Sequence, residues 1–148
     1  MQVREIMTQN PYCVQAGENV QRAAQEMKTH NVGVLPVCEG DNLIGIITDR
    51  DIVLECVAAG HTVNQCRVRE HMTANPITIA PGASAEDALQ MMAREQIRRL
   101  CVTEGNRVQG ILSLGDLAVH MSGNQAVAQT LAAISEPVRA GQPGRPGG

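Results

Sequence analysis

Gly45-Ile46-Ile47-Thr48-Asp49-Arg50-Asp51 decides how this chain is read, because Gly110-Ile111-Leu112-Ser113-Leu114-Gly115-Asp116 repeats it at an offset of 65 residues, Gly45 to Gly110. Each copy reads as an apolar strand ending in a hydroxyl residue, with a carboxylate three positions later on a following helix. The same offset turns Val3-Arg4-Glu5 into Val68-Arg69-Glu70, Met7-Thr8 into Met72-Thr73 and Asn10-Pro11 into Asn75-Pro76. It also pairs Gly17 with Gly82, Met27 with Met92 and Glu39-Gly40 with Glu104-Gly105. No gap is needed from Val3 to Asp116, so the chain duplicates one folded unit.

A chain of 148 residues fits one compact domain or two small ones. One such unit alone would bury only about 60% of its unfolded surface, so the two are expected to share a core. The net charge of −3 gives no basic footprint for nucleic acid. No apolar run approaches the ~18 residues of a membrane span. Residues 1–11 lack the apolar stretch of a secretory signal, so a cytoplasmic protein without membrane contact is expected. Tyr12 is the only aromatic residue. The core must therefore come from Val, Ile, Leu, Ala and Met, and there is no aromatic platform for stacking bases.

Along the chain, residues 2–7 read as a helical lead-in, Thr8 to Pro11 as a turn and Tyr12-Cys13-Val14 as a short strand. Val20, Ala23, Ala24 and Met27 form an apolar stripe at helical period, with Asn19 as N-cap. Arg22 stands where a capping box would place Glu or Gln. Residues 32–37 and 43–47 form a hairpin around Gly40-Asp41-Asn42, and a helix runs from Thr48 to about Ala58. The second copy predicts a lead-in at 68–71, a strand at 77–79, a helix at 84–95, a hairpin over 98–112 and a helix from Ser113 to Met121. Each unit is strand–helix–strand–strand–helix. The expected boundaries are 1–60 and 68–122 for the units and 61–67 for a polar connector. An extra helix over 123–135 has no repeat partner, and 136–148 is a Gly/Pro-rich tail expected to be disordered.

The order Thr-x-Asn-Pro, Ala-x-x-Met, Val34-Leu35-Pro36-Val37 and Gly45 to Ile52 resembles the cystathionine-β-synthase (CBS) domain. Two in tandem, over residues 1–121, resemble a stand-alone Bateman module. The resemblance implies an α/β (α+β) fold of two CBS-type β-α-β-β-α repeats with pseudo-twofold symmetry, and a homodimer formed through helices. It also implies a regulatory, non-catalytic role: binding AMP, ADP, ATP or S-adenosylmethionine and acting through a separate effector protein. The alternative is a structural or interaction dimer that binds no ligand. Nothing in the chain suggests a nucleophile–base pair, and no catalytic cofactor is expected.

In this family the motif's hydroxyl and carboxylate hold the ribose, which points to Thr48 with Asp51 and Ser113 with Asp116. An ionised carboxylate accepts two hydrogen bonds from a vicinal diol. The same residues at the same spacing also make a helix N-terminal cap, and both readings stay open. Arg50, Arg98 and Arg99 are candidate phosphate contacts or, alternatively, solvated surface charges. Gly33-Val34 occupies the place of Arg98-Arg99 in the first copy, so the two sites are unequal in charge. Tyr12, Cys13, Val34, Ile77 and Thr78 are candidate contacts for the base, with Tyr12 equally suited to packing.

Cys13, Cys38, Cys56, Cys66 and Cys101 are an odd number of cysteines with no CxxC pair, expected to be reduced. Cys13 and Cys38 change together to Thr78 and Thr103 in the second copy, which suggests neighbouring thiols: a redox-sensitive pair, or simply two buried cysteines. Cys56, His61, Cys66 and His71 recur every five residues. That spacing fits neither one helix face nor a zinc pattern, so no metal site is expected and a solvent-facing connector accounts for them.

Overall fold

Apolar spacing sets the two long helices. On α2 (Val20–His30) the inward residues are Val20, Ala23 and Met27; on α5 (Ala85–Glu95) they are Ala85, Ala88, Leu89 and Met92. Asn19 and Ser84 cap these helices by accepting from the backbone N–H of Arg22 and Asp87. At Asn19 the side-chain oxygen caps the helix with Arg22, neither acid nor amide, in the third position; at Ser84 that position holds Asp87. Both helices end on a left-handed residue, Asn31 and Gln96, each at φ 54°. These details come from a computed structural model that describes residues 1–137. The tail expected to be disordered lies, from residue 138 on, outside the described residues.

The strands are β1 (Thr8–Gln9), β2 (Val14–Gln15), β3 (Val34–Glu39), β4 (Asn42–Thr48), β5 (Thr73–Ala74), β6 (Thr78–Ile79), β7 (Arg99–Glu104) and β8 (Arg107–Ser113). They make two four-stranded sheets, ordered β2-β3-β4-β5 and β1-β8-β7-β6. In each sheet the hairpin is central, β2 or β6 joins in parallel, and β5 or β1 joins antiparallel. The strand expected at residues 12–14 is displaced to Val14–Gln15.

β1 and β5 are strands where the sequence suggested turn residues. The described residues form two compact units: Pro11–Pro76, and Met1–Asn10 together with residues 77–137. The sequence repeat and the structural unit are therefore out of phase by about one lead-in. Each lead-in, helix α1 (Val3–Ile6) or α4 (Val68–His71) with its strand, completes the sheet made by the other copy of the repeat.

That exchange explains the glycine that opens the duplicated motif. Gly45 lies opposite Ala74 on β5, and a Cβ there would sit 2.8 Å from the Thr73 carbonyl oxygen and 2.7 Å from the Met72 sulfur. At Gly110 the corresponding distances, to Thr8 and Met7, are 2.7 and 2.6 Å. Only glycine lets the crossing backbone approach so closely.

Each unit has its own core. One is built around Val14, Val20, Leu35, Val37 and Ile47, the other around Val3, Met92, Leu100, Val102 and Leu112. The second also takes in Ile134 of the extra helix α7 (Gln125–Ser135), which packs on α5. Buried Gln96 anchors the end of α7: its Nε2 donates to the carbonyls of Ala133 (3.1 Å) and Glu136 (3.2 Å). These are terminal acceptors that the helix itself cannot satisfy.

The helices after β4 and β8 differ. After β8, α6 (Leu114–His120) is a regular helix. After β4, a single turn α3 (Asp49–Asp51) widens into a π-helix, Ile52–Val57, with Ala58 N–H donating to Val53 at 2.8 Å. The uniform helix expected over 48–58 is thus only partly α, and nothing in the sequence marks the change. No helix among the described residues is long and apolar enough to cross a membrane.

Candidate functional site

Strand register builds the duplicated motif. Val34 lies opposite Thr48 on the β3–β4 pair, and Arg99 opposite Ser113 on the β7–β8 pair. The helix that follows is tied back to the neighbouring strand in both copies. Asp49 N–H donates to the Gly33 carbonyl at 3.0 Å, and Leu114 N–H to the Arg98 carbonyl at 2.8 Å.

At the turn between strand and helix, Thr48 Oγ1 accepts from Asp51 N–H (3.1 Å) and Asp51 Oδ2 accepts from Thr48 N–H (3.0 Å). Ser113 and Asp116 repeat this box at 3.0 and 2.9 Å. The capping role is therefore realised in both copies. It engages Oδ2 of each carboxylate and holds the side chain in one orientation.

Around Ser113 the surface is concave. An open groove of about 1000 Å³ is lined by Arg98, Arg99, Ser113, Leu114 and Gly115, and on its other side by residues of α7 that include Ala128 and Leu131. Two of the three candidate phosphate contacts thus share a cavity with a candidate ribose contact, and Asp116 is bonded to that same serine. The share of α7 in this lining was not legible by repeat comparison, because α7 has no counterpart in the first copy.

In the Pro11–Pro76 unit, Val34 is buried and Arg50 is exposed, its N–H donating to Asp49 Oδ1 at 2.8 Å. Tyr12 stacks on His30 with ring centroids 5.5 Å apart, and its hydroxyl accepts from Arg22 at 3.4 Å. It is half-buried and packs against the core of its own unit. Cys13 is half-buried. In the other unit Ile77 is exposed, and Thr78 is half-buried on β6 opposite Cys101.

Cys13 and Cys38 are neighbouring thiols. Burial raises the Cys38 thiol above the usual cysteine range, and a hydrogen bond with Cys13 opposes that rise.

The connector is not the solvent-facing segment expected. Cys56 and Cys66 are both buried, and with His71 they bring three ligand-type atoms within 4.8 Å of one another. The five-residue spacing argues only against a shared helix face. Convergence comes instead from folding: Cys56 lies on the π-helix, Cys66 is held by Val20 N–H on its carbonyl at 2.7 Å, and His71 ends α4. Burial, then the adjoining Cys66, pushes the Cys56 thiol up to about 12.

Both halves match the CBS domain, over residues 3–58 and 68–123. The chain is 42% identical over 133 residues to the CBS domain-containing protein YhcV of Bacillus subtilis, spanning 90% of this chain and 94% of that protein. It is 35% identical over 136 residues to hypoxic response protein 1 of Mycobacterium tuberculosis, spanning 91% and 94%. The crystal structure of Hypoxic Response Protein I with two coordinated zinc ions superposes with a TM-score of 0.74 at 36% identity, over 81% of this chain and 98% of that one. A hexameric CBS-CP12 protein from bloom-forming cyanobacteria gives a TM-score of 0.72 at 30% identity, over 95% and 78%. Fold and matches together define a CBS pair, a class of regulatory modules that often bind ligands. The chain belongs to the CBS-domain family.

Proposed function

We propose that this CBS pair is a sensor of adenosyl ligands (AMP, ADP, ATP or S-adenosylmethionine) that reports occupancy to a partner protein. The observation that carries this reading is the groove shared by Arg98, Arg99 and Ser113, with Asp116 fixed beside the serine. The cap holds Oδ2 of Asp116, which leaves Oδ1 to accept from a ribose diol. The two guanidiniums would meet phosphate. Thr48, Asp51 and Arg50 would play these parts in the other unit, with Tyr12, Cys13 and Val34, or Ile77 and Thr78, near the base. Because Gly33-Val34 replaces the arginine pair there, phosphate-rich ligands should prefer the Ser113 site. Binding would shift the population of states that a partner recognises.

Calorimetric titration of the full chain with AMP and ATP tests this. Asp116→Asn preserves the cap but removes the charge, and is expected to weaken ATP binding at least tenfold with little change in melting temperature. Asp116→Ala also removes the cap, and should lose about 0.5–2 kcal/mol of stability as well. A chain whose melting temperature does not move in millimolar adenine nucleotides, and which carries no purine absorbance as purified, rules the reading out.

Self-association into a homodimer is the second part of the proposal. Val53, Leu54 and Val57 on the π-helix are each at least 50% exposed, and Val119 on α6 is 76% exposed. That a similar CBS-CP12 protein is hexameric supports self-association. Sedimentation equilibrium should show a dimer that Leu54→Lys with Val119→Lys converts to monomer. A wild-type monomer at the highest accessible concentration would remove this part.

A further inference from the structure

We infer that Cys56, Cys66 and His71 form a binding site for a zinc-class divalent ion, with His61 as fourth ligand. All four lie in the Pro11–Pro76 unit, and none belongs to the duplicated motif. The donor set of two thiols and imidazole is the one that tetrahedral zinc takes. Metal–ligand bonds of about 2.0–2.3 Å place neighbouring donors of a tetrahedral site roughly 3.3–3.8 Å apart. The three observed atoms lie within 4.8 Å, so closing on an ion needs side-chain shifts of about an ångström rather than refolding.

The surroundings suit a metal centre. Both sulfurs come from buried residues, which keeps water off the thiolates. The exposed His61 is tethered beside the site by its backbone N–H on the Cys56 carbonyl at 2.9 Å, and its ring centroid is 6.3 Å from that of His71. Its side chain must therefore swing inward to become the fourth ligand. Glu55 Oε2 lies 3.9 Å from Nδ1 of His71, placed as the outer carboxylate that orients a ligating imidazole. The π-helix adds a second sign, since such windings concentrate at functional sites and the matching helix α6 lacks one.

The duplication supplies an internal control. At the same offset the second copy has Met121, Ala126, Leu131 and Glu136, which cannot repeat the donor set. The site therefore takes one ion per chain. It clips the end of the π-helix to α4, the lead-in that carries β5.

The test loads chelator-treated full-length protein with Co(II). The expected result is one ion per chain after desalting, a thiolate-to-cobalt charge-transfer band and the intense visible bands of a tetrahedral centre. Cys56→Ser and Cys66→Ser should each diminish the charge-transfer band, and His61→Ala the tetrahedral intensity. Each should lower affinity by more than about tenfold. Cys13→Ser with Cys38→Ser should change nothing. A folded wild-type chain that gives no charge-transfer band overturns the site. So does a stoichiometry that survives the double change Cys56→Ser with Cys66→Ser, or two ions per chain. Circular dichroism on each variant separates lost ligands from lost fold, and the wild-type spectrum decides the matter even if both serine variants misfold.

Discussion

Gly110→Ala is expected to lower the free energy of unfolding by about 3 kcal/mol, at the upper end of what overpacking costs, and Gly45→Ala by a similar amount. The added carbon would stand 2.7 Å from the Thr8 carbonyl oxygen in one case and 2.8 Å from the Thr73 carbonyl in the other. The methionine sulfurs nearby can swing away; a ladder carbonyl cannot move without breaking the pairing of β1 with β8, or of β5 with β4. Gly17 provides the comparison, because a Cβ there meets nothing within 4 Å. Gly17→Ala should stay within about 0.5 kcal/mol of wild type, as open surface positions do. Urea midpoints at constant m-value read all three. If the two motif glycines behave like Gly17, the close strand crossing is not a feature of the folded protein.

Leu35→Ala and Leu100→Ala should each cost about 2–5 kcal/mol, the range for removing a buried leucine and leaving a cavity. Both are 1% exposed, and they occupy matching positions on β3 and β7. Each belongs to a different core cluster, so the damage should be local in origin. Hydrogen exchange should accelerate first in the β2–β5 sheet for Leu35→Ala and in the β1-β8-β7-β6 sheet for Leu100→Ala. A loss below about 1 kcal/mol in either variant would mean that the leucine does not pack as described.

Local patterns carried most of the fold. The i, i+3, i+4, i+7 stripes gave α2 and α5 because burial on one face is what drives such helices to form. Apolar runs bounded by turn residues gave both hairpins, whose turns place Gly40 and Gly105 at positive φ. Two-residue strands were out of reach: Thr8-Gln9 and Thr73-Ala74 are too short for a period, and become strands only because a distant β8 or β4 offers an edge. The duplicated hydroxyl and carboxylate were found through their repetition, and the arginine pair through the asymmetry between copies. The convergence of Cys56, Cys66 and His71 escaped because spacing arguments assume one continuous element. Here three segments meet through a π-turn and a reversal of the chain that no periodicity encodes.

The crossed lead-ins also bear on how the chain is made. Synthesis proceeds from the N-terminus, so every strand of the Pro11–Pro76 unit is made before β8. Residues 1–10 emerge ahead of the Pro11–Pro76 unit yet are among the last to find their place, since β1 must wait for residues near Gly110. A fusion partner or blocking group at the N-terminus therefore falls on the later-born unit, and a chain interrupted after Pro76 carries an opening segment with no sheet to join.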